Sequence, residues 1–216
     1  MVNKFSSSII NLQETKFNYN FTPKYTNYKS YYKNLQTDTI AHGGVYTLVR
    51  ENITSCEVLL NTTLQHSKIF YPFEHVICNI YLPGNESVTE NDLIDLISQL
   101  GPIFLIQGDF NAHNILWGSQ TINSRGKIVE KIINDHNLVI MNSGDPTHFS
   151  LQYRTFSCID LTIVSPLLAG YYQWEVIDDL HGSDHFPTLL NLLSNSIDQN
   201  QCAWNVLEGG NRLHCI

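Results

Sequence analysis

The sequence has no apolar run long enough to cross a membrane, which takes about 20 residues, so we expect no membrane partner. It also lacks an excess of basic residues. Its 12 Lys and Arg against 20 Asp and Glu give a net charge of −8, which argues against a broadly basic nucleic-acid coat. An enzyme acting on phosphates is still compatible, because carboxylates that hold a cation make a site locally electropositive.

Cysteine is scarce and has no spacing typical of a metal or redox site. The 5 cysteines are an odd number without a C-x-x-C pair, and Cys78 and Cys158 lie in strand-like runs, where free cysteines behave as small apolar residues. The start, "MVNKFSSSII", lacks the apolar core and cleavage site of a signal peptide. We therefore expect a reduced, intracellular protein.

Short strand-like runs outnumber helices along a chain that is 43% hydrophobic. The runs are "SIINL", "GGVYTLVR", "CEVLLN", "HVICNIYL", "PIFLIQGD", "LVIMN", "FSCIDLTIV", "YQWEVID" and "PTLLNLL". Amphipathic spacing predicts helices over 88–101 and 124–137, and residues 18–34 are typical of a surface segment. This pattern predicts one α/β (α+β) domain of two packed sheets with helices outside.

The segment "IQGDFNAHN" places polar residues at the end of a buried strand. An apolar run over 103–106 is followed by Gly108, Asp109, Phe110 and Asn111. If the strand continues, Asp109 and Asn111 share a face, and a carboxylate there is costly unless it is used. Gly, Asp and Asn are also ordinary turn residues, so the segment alone leaves a turn and a functional site both open.

Other polar residues lie at strand ends in the same way, namely Glu14, Tyr81, Asp160, Asp184 and His185. Each alone is more often a cap, a core residue or a surface pair than a catalytic group. Considered together, they change the interpretation. Two carboxylates about 4 Å apart repel by roughly 4 kcal/mol at an effective dielectric constant near 20, so a cluster of Glu14, Asp109 and Asp184 requires a divalent cation. Oxygen ligands favour Mg²⁺ or Mn²⁺ over Zn²⁺.

Five motifs in order, "LQET", "IYLPG", "GDFNAH", "CIDLTIVS" and "GSDHFP", resemble the endonuclease/exonuclease/phosphatase family. The longer segments "AHGGVYTLVR", "GDFNAHNILWGS", "NSRGKIVEKII" and "DDLHGSDHFPTLL" are similar to the apurinic-endonuclease-like endonuclease domain of jockey-type insect non-LTR retrotransposons. The resemblance covers roughly Ile9 to Leu193. It implies a four-layer α/β-sandwich of two mostly antiparallel sheets with outer helices.

The resemblance also implies the role of each site residue. Glu14, Asp109 and Asp184 resemble the acidic residues at the metal, and Mg²⁺ or Mn²⁺ is the only implied cofactor. Asp109 also resembles the residue that orients or deprotonates the attacking water. The remaining site residues resemble those that contact the phosphate or orient the groups that do: Tyr81 and Asn111 contact it, and Asp160 orients His185 against it. We interpret His113, Trp117 and Arg125 as structural and His181 as a solvated loop residue.

The resemblance predicts a domain over 1–193 and an irregular tail over 194–216. The family's opening strand, which carries a metal-binding Asn, and the helix after it have no counterpart before "LQET". We therefore expect a domain that is truncated at its amino end.

The leading hypothesis is a Mg²⁺-dependent endonuclease domain that nicks double-stranded DNA and leaves a 3′-hydroxyl for target-primed reverse transcription. It would act in the nucleus as a monomer, and its reverse transcriptase would normally lie on the same polypeptide. The alternative is an impaired or inactive retrotransposon remnant that at most binds nucleic acid. A phosphoinositide phosphatase or a repair apurinic endonuclease fits the chemistry but not "AHNILWGS" or "NSRGK". Target sequence is not predictable, because loops that contact DNA vary freely on such a scaffold.

Overall fold

The structure, a computed structural model, describes residues 7–17, 23–34, 43–71, 75–193 and 212–215. Two six-stranded sheets form the body of this part of the chain. The first sheet contains β1 (Ile9–Gln13), β2 (Tyr28–Lys33), β3 (Val45–Arg50), β12 (Tyr172–Val176), β13 (Thr188–Leu192) and β14 (Arg212–Cys215). Its strand order is β12-β13-β14-β1-β3-β2, and only the pairing of β1 with β14 is parallel.

The second sheet carries the site described below. Its strands are β4 (Cys56–Glu57), β5 (Gln65–Tyr71), β6 (His75–Tyr81), β7 (Phe104–Asp109), β8 (Val139–Ile140) and β11 (Asp160–Val164). Their order is β4-β5-β6-β7-β11-β8, with β6 and β7 parallel and the other pairs antiparallel. A separate hairpin is formed by β9 (His148–Ser150) and β10 (Thr155–Ser157).

Both α-helices of the described residues pack on the outer face of the second sheet. They are α1 (Glu90–Ser98) and α2 (Ser124–Asp135), close to the predicted spans. The side chains of Thr89 and Asn123 cap them by accepting hydrogen bonds from backbone N–H groups in the first turn. Their buried faces join one apolar cluster with the sheet, which includes Leu96, Ile132 and Ile106. Among the described residues, no helix has the length and apolar character needed to span a membrane.

Two further clusters hold the sheets together. One lies between the sheets and joins residues such as Val49, Leu190 and Leu105. The other surrounds Tyr46 on the first sheet. Two packed, mostly antiparallel sheets with helices outside confirm the predicted fold class. The predicted domain boundary at residue 193 stays a prediction.

The sequence-based assignment missed strands in both sheets. Residues 18–34, predicted as a surface segment, contain the edge strand β2 in their described part. Residues 212–215, predicted as part of an irregular tail, form β14 between β1 and β13. Strand β5 was not predicted at all, because its residues Gln65, His66, Ser67 and Lys68 are polar, yet all four are buried.

A buried layer of polar side chains joins the two sheets. Thr47 of β3 donates to Asn11 of β1 at 2.9 Å and lies 2.6 Å from the Ser67 hydroxyl of β5. Asn79 of β6 donates to Thr47 at 3.2 Å, and Asn11 donates to Gln107 of β7 at 3.2 Å. Buried polar groups of this kind cost little only while each keeps its partner. The layer therefore fixes how one sheet lies against the other.

We expect Asn79→Ala to lower the free energy of unfolding by about 3 kcal/mol. The Asn79 side chain is fully buried and also bonds the Gln13 amide and the Leu12 and Tyr46 carbonyls, and each buried group left without a partner costs about 1–3 kcal/mol. Urea unfolding measures the change. The exposed Asn85→Ala is the control and should be near neutral; equal effects of the two substitutions would contradict the role of the layer.

Candidate active site

A row of ionisable side chains lies at one end of three neighbouring strands of the second sheet. Tyr81 at the end of β6 pairs with Asp109 at the end of β7, and Asp109 pairs with Asp160 at the start of β11. Two carboxylates thus face each other across an antiparallel pair, which is unfavourable for like charges. The backbone alone therefore concentrates acidic groups at this edge.

Gly108, immediately before the buried carboxylate, is required for the close approach of β6 and β7. Its φ is +152°, and a Cβ built there would lie 1.9 Å from the Ile80 carbonyl oxygen. Any side chain at this position would force the two strands apart. Gly108, for which the sequence left a turn and a functional site both open, therefore lies inside β7 and serves strand packing.

Asp109 is held by the turn that follows it. The Asn111 backbone N–H donates to Asp109 Oδ1 and the Asn111 side-chain amide donates to Oδ2, both at 2.8 Å. Asn111 has a φ of +48°, so the strand ends at Asp109 and the chain folds back. The sequence left a turn and a functional site as alternatives for this segment, and the turn is what brings the amide onto the carboxylate.

Asp109 is buried, with only 3% of the residue exposed. Burial and the neighbouring Asp160 carboxylate raise its pKa to about 8, although the Asn111 bonds and His185 act in the opposite direction. In the absence of a cation, Asp109 therefore favours its protonated form at neutral pH. A bound cation would favour the carboxylate.

His185 compensates part of this negative charge. Its Nδ1 lies 2.9 and 3.0 Å from the two carboxylate oxygens of Asp160, so the predicted contact between these residues is present. Because a carboxylate only accepts, Nδ1 carries the proton and Nε2 is directed elsewhere. Burial works against a charged ring, but the carboxylates of Asp160, Asp109 and Asp184 raise the pKa of His185 to about 9.

Glu14 approaches the row from the first sheet. It follows β1 directly, with a φ of +49°, and its Oε1 accepts a hydrogen bond from the Tyr81 hydroxyl. Lys16 Nζ lies 3.0 Å from Glu14 Oε2. Burial opposes ionisation of Glu14, but the bonds from Tyr81 and Lys16 lower its pKa. Burial and the Glu14 bond raise the pKa of Tyr81, which keeps its proton.

Asp184 has different neighbours from those expected. Its carboxylate lies 3.9 Å from His148 Nε2, and these two residues form a group with His185. The sequence assigned Asp184 to one metal set with Glu14 and Asp109, which stays a prediction. Sequence reasoning missed His148, whose signal was its place in "DPTHFS" at the start of the hairpin.

Arg125 supports the site from behind. Its guanidinium, in a residue only 7% exposed, donates to the carbonyls of Leu82, Pro83, Glu86 and Phe110. These carbonyls belong to the segments that follow Tyr81 and Asp109. The side chain therefore holds the two strand ends in place, in agreement with its interpretation as structural.

The other residues interpreted as structural or solvated have partners outside this row of side chains. Trp117 is fully buried and donates its indole N–H to the Ala112 carbonyl at 3.0 Å. The backbone N–H of His113 donates to the Asn123 side chain at 3.1 Å. The ring of His181 pairs with Asp179 at 3.1 Å.

The oxygen donors around Glu14 and Asp109 suit a hard divalent cation. Two carboxylates and the Asn111 amide oxygen are the ligand types that Mg²⁺ and Mn²⁺ prefer. Lys16, which now pairs with Glu14, has a side chain that is 60% exposed, and an exposed pair is weak enough to exchange. Once Asp109 is ionised, its carboxylate and that of Asp160 leave negative charge that His185 only partly offsets. The residues present thus fit such an ion.

Comparisons with known proteins show the family of this chain. The family described as Endonuclease-reverse transcriptase matches residues 75–189, more than half of the chain. The RNA-directed DNA polymerase from mobile element jockey of Drosophila funebris is 30% identical over 121 residues, 54% of this chain and 13% of that protein. Its counterpart in Drosophila melanogaster is 29% identical over 114 residues, 52% of this chain and 12% of that protein. The chain therefore spans only a small part of these relatives.

Two solved structures share the fold. The endonuclease domain of TRAS1, a telomere-specific non-LTR retrotransposon, has a TM-score of 0.72 at 21% identity, with 88% of each chain covered. The 3′ phosphatase NExo from Neisseria, bound to a product DNA hairpin, has a TM-score of 0.64 at 15% identity. In that comparison, 87% of this chain and 89% of the other are covered.

The buried acidic row makes stability depend on pH in metal-free protein. Because the pKa values of Asp109 and His185 are raised on folding, the folded state binds more protons than the unfolded state, and stability falls as pH rises from 6 to 9. We expect Asp109→Asn to reduce this decline. Melting temperatures in EDTA across that range measure it, with the exposed Asp95→Asn as control. Equal slopes for wild type and Asp109→Asn would contradict the raised pKa.

Proposed function

This chain belongs to the Endonuclease-reverse transcriptase family, and on that premise we propose that it is a Mg²⁺-dependent endonuclease that nicks double-stranded DNA. The observation that carries the proposal is the row of opposed carboxylates, Asp109 and Asp160, with Asn111 on one and His185 on the other. Such a row is costly for a fold that does not use it. The divalent cation that accompanies a phosphodiester supplies the positive charge that the row requires.

Each side chain has a task that follows from its contacts. Bound by Glu14 and Asp109, the ion would offset negative charge on the phosphate. Asp109, held by Asn111, orients the attacking water and accepts its proton. His185, kept charged and oriented by Asp160, donates from Nε2 to a phosphate oxygen. Tyr81 keeps its proton and fixes the Glu14 carboxylate.

The proposed product is a nick with a 3′-hydroxyl. Water attacks phosphorus, the bond from phosphorus to O3′ breaks, and the departing oxygen takes up a proton to become the hydroxyl. This is the end that a polymerase extends, which suits the jockey relatives, named as RNA-directed DNA polymerases. We propose the same setting here: nuclear action as a monomeric domain, with a reverse transcriptase on the same polypeptide.

Nicking of supercoiled plasmid tests the proposal. We expect relaxation with Mg²⁺ or Mn²⁺ and none with a chelator. Asp109→Asn or His185→Ala should reduce the rate about 100-fold or more, the scale for losing a general acid or base. Asp95→Asn should cut like wild type. Cleavage that resists chelation, or that survives both site substitutions, would refute the mechanism.

The ends of the nick and the binding of DNA separate the two hypotheses. A 3′-hydroxyl is extended by a DNA polymerase without prior phosphatase treatment, and we expect that result. DNA binding measured by gel shift without any nicking would instead support the inactive remnant.

A further inference from the structure

Three metal-ligating side chains meet where the β9–β10 hairpin touches the loop before β13. His148, Asp184 and His185 each offer one ligand atom, and these atoms lie within 4.8 Å of one another. His148 comes from the hairpin and the other two from the loop. Neither Glu14 nor Asp109 belongs to this group, whose two imidazoles and one carboxylate differ from the oxygen ligands around those two residues.

Backbone hydrogen bonds hold the three ligands in place. His148 and His185 form an isolated antiparallel bridge. On either side of it, the Phe149 N–H donates to the Asp184 carbonyl at 2.8 Å and the Phe186 N–H donates to the Thr147 carbonyl at 2.7 Å. A short antiparallel ladder of backbone hydrogen bonds therefore joins the hairpin to the loop. A site with ligands on paired backbone is better organised than one on independent loops.

Both imidazoles have one nitrogen occupied and the other left for a ligand. His185 Nδ1 donates to Asp160, and His148 Nδ1 lies 3.1 Å from the Ser157 hydroxyl. This is the arrangement of metal-bound histidines, whose second nitrogen bonds a carboxylate or another polar group and so orients the ring. The two ring centroids are 4.8 Å apart, so the rings are close neighbours.

We propose that His148, Asp184 and His185 form a second cation site, which binds Zn²⁺ or a similar late transition metal. Two imidazoles and one carboxylate are typical zinc ligands, with a fourth position left for water. Ligand atoms around tetrahedral zinc lie about 3.3 Å apart, somewhat closer than here. Asp184, with a side chain that is 61% exposed, can rotate toward the rings to close that gap.

Because His185 belongs to both sites, zinc binding should affect the nicking of DNA. This consequence rests on the proposed function. A metal on His185 Nε2 takes away the donor that the phosphate would use. Zn²⁺ should therefore inhibit nicking that Mg²⁺ supports. The site would make cutting sensitive to transition metals without occupying the Mg²⁺ ligands Glu14 and Asp109.

Binding of the metal alone tests the site, whether or not the protein cuts DNA. After treatment with chelator and its removal, the full chain should bind one Zn²⁺ by calorimetry in the presence of excess Mg²⁺. His148→Ala should weaken this affinity by about tenfold or more. His181→Ala is the matched control, because His148 and His181 both have side chains that are 20% exposed and lie beside an aspartate. Unchanged affinity in His148→Ala, or equal losses in both variants, would overturn the proposal.

For the inhibition test, the nicking rate of each variant with added Zn²⁺ is divided by its rate with Mg²⁺ alone. Zn²⁺ should slow the wild type and His181→Ala, while His148→Ala should need about tenfold more Zn²⁺. Equal inhibition of all three would show that zinc acts elsewhere and would overturn the regulatory role. If no protein nicks DNA, the proposed function fails, while the calorimetric result still decides the metal site.

Discussion

The structure of this edge depends on one electrostatic constraint, the pairing of Asp109 directly opposite Asp160 on adjacent strands. Strand register fixes the two carboxylates face to face, and burial prevents water from separating their charges. Two neighbouring side chains reduce the repulsion. Asn111 bonds one carboxylate, His185 pairs with the other, and a cation would neutralise what remains.

Precision at this edge comes from polar contacts that lie below and behind it. Asn79 and Gln107 are two residues before Tyr81 and Asp109, so they share the same strand faces and belong to the polar layer between the sheets. Arg125 holds the segments that follow the same two strands. A shift of one sheet against the other would therefore move the ends of both strands together. The positions of Tyr81 and Asp109 therefore depend on how the two sheets pack.

Sequence reasoning was sufficient where the pattern is local. The helices follow from apolar spacing and caps, and "GDFN" marks the end of a buried strand. It was insufficient for β5. The buried Lys68 and His66 side chains hydrogen-bond the carbonyls of Gln99 and Leu64. Hydrophobic periodicity does not predict such contacts. His148 escaped for a related reason: its proximity to His185 arises from a bridge between segments far apart in the chain. The assigned roles of the site residues stay predictions.

The left-handed backbone at Glu14 and Asn111 has an evolutionary consequence. Both residues have φ near +50°, a region that glycine occupies at less cost than a residue with a Cβ. Glycine at Asn111 would relax the backbone but remove the side-chain bonds to Asp109 and to the Leu82 carbonyl. Glycine at Glu14 would relax the backbone and remove the carboxylate that accepts from Tyr81. On the proposed function, the backbone strain at Glu14 is a cost in stability that is kept for the carboxylate.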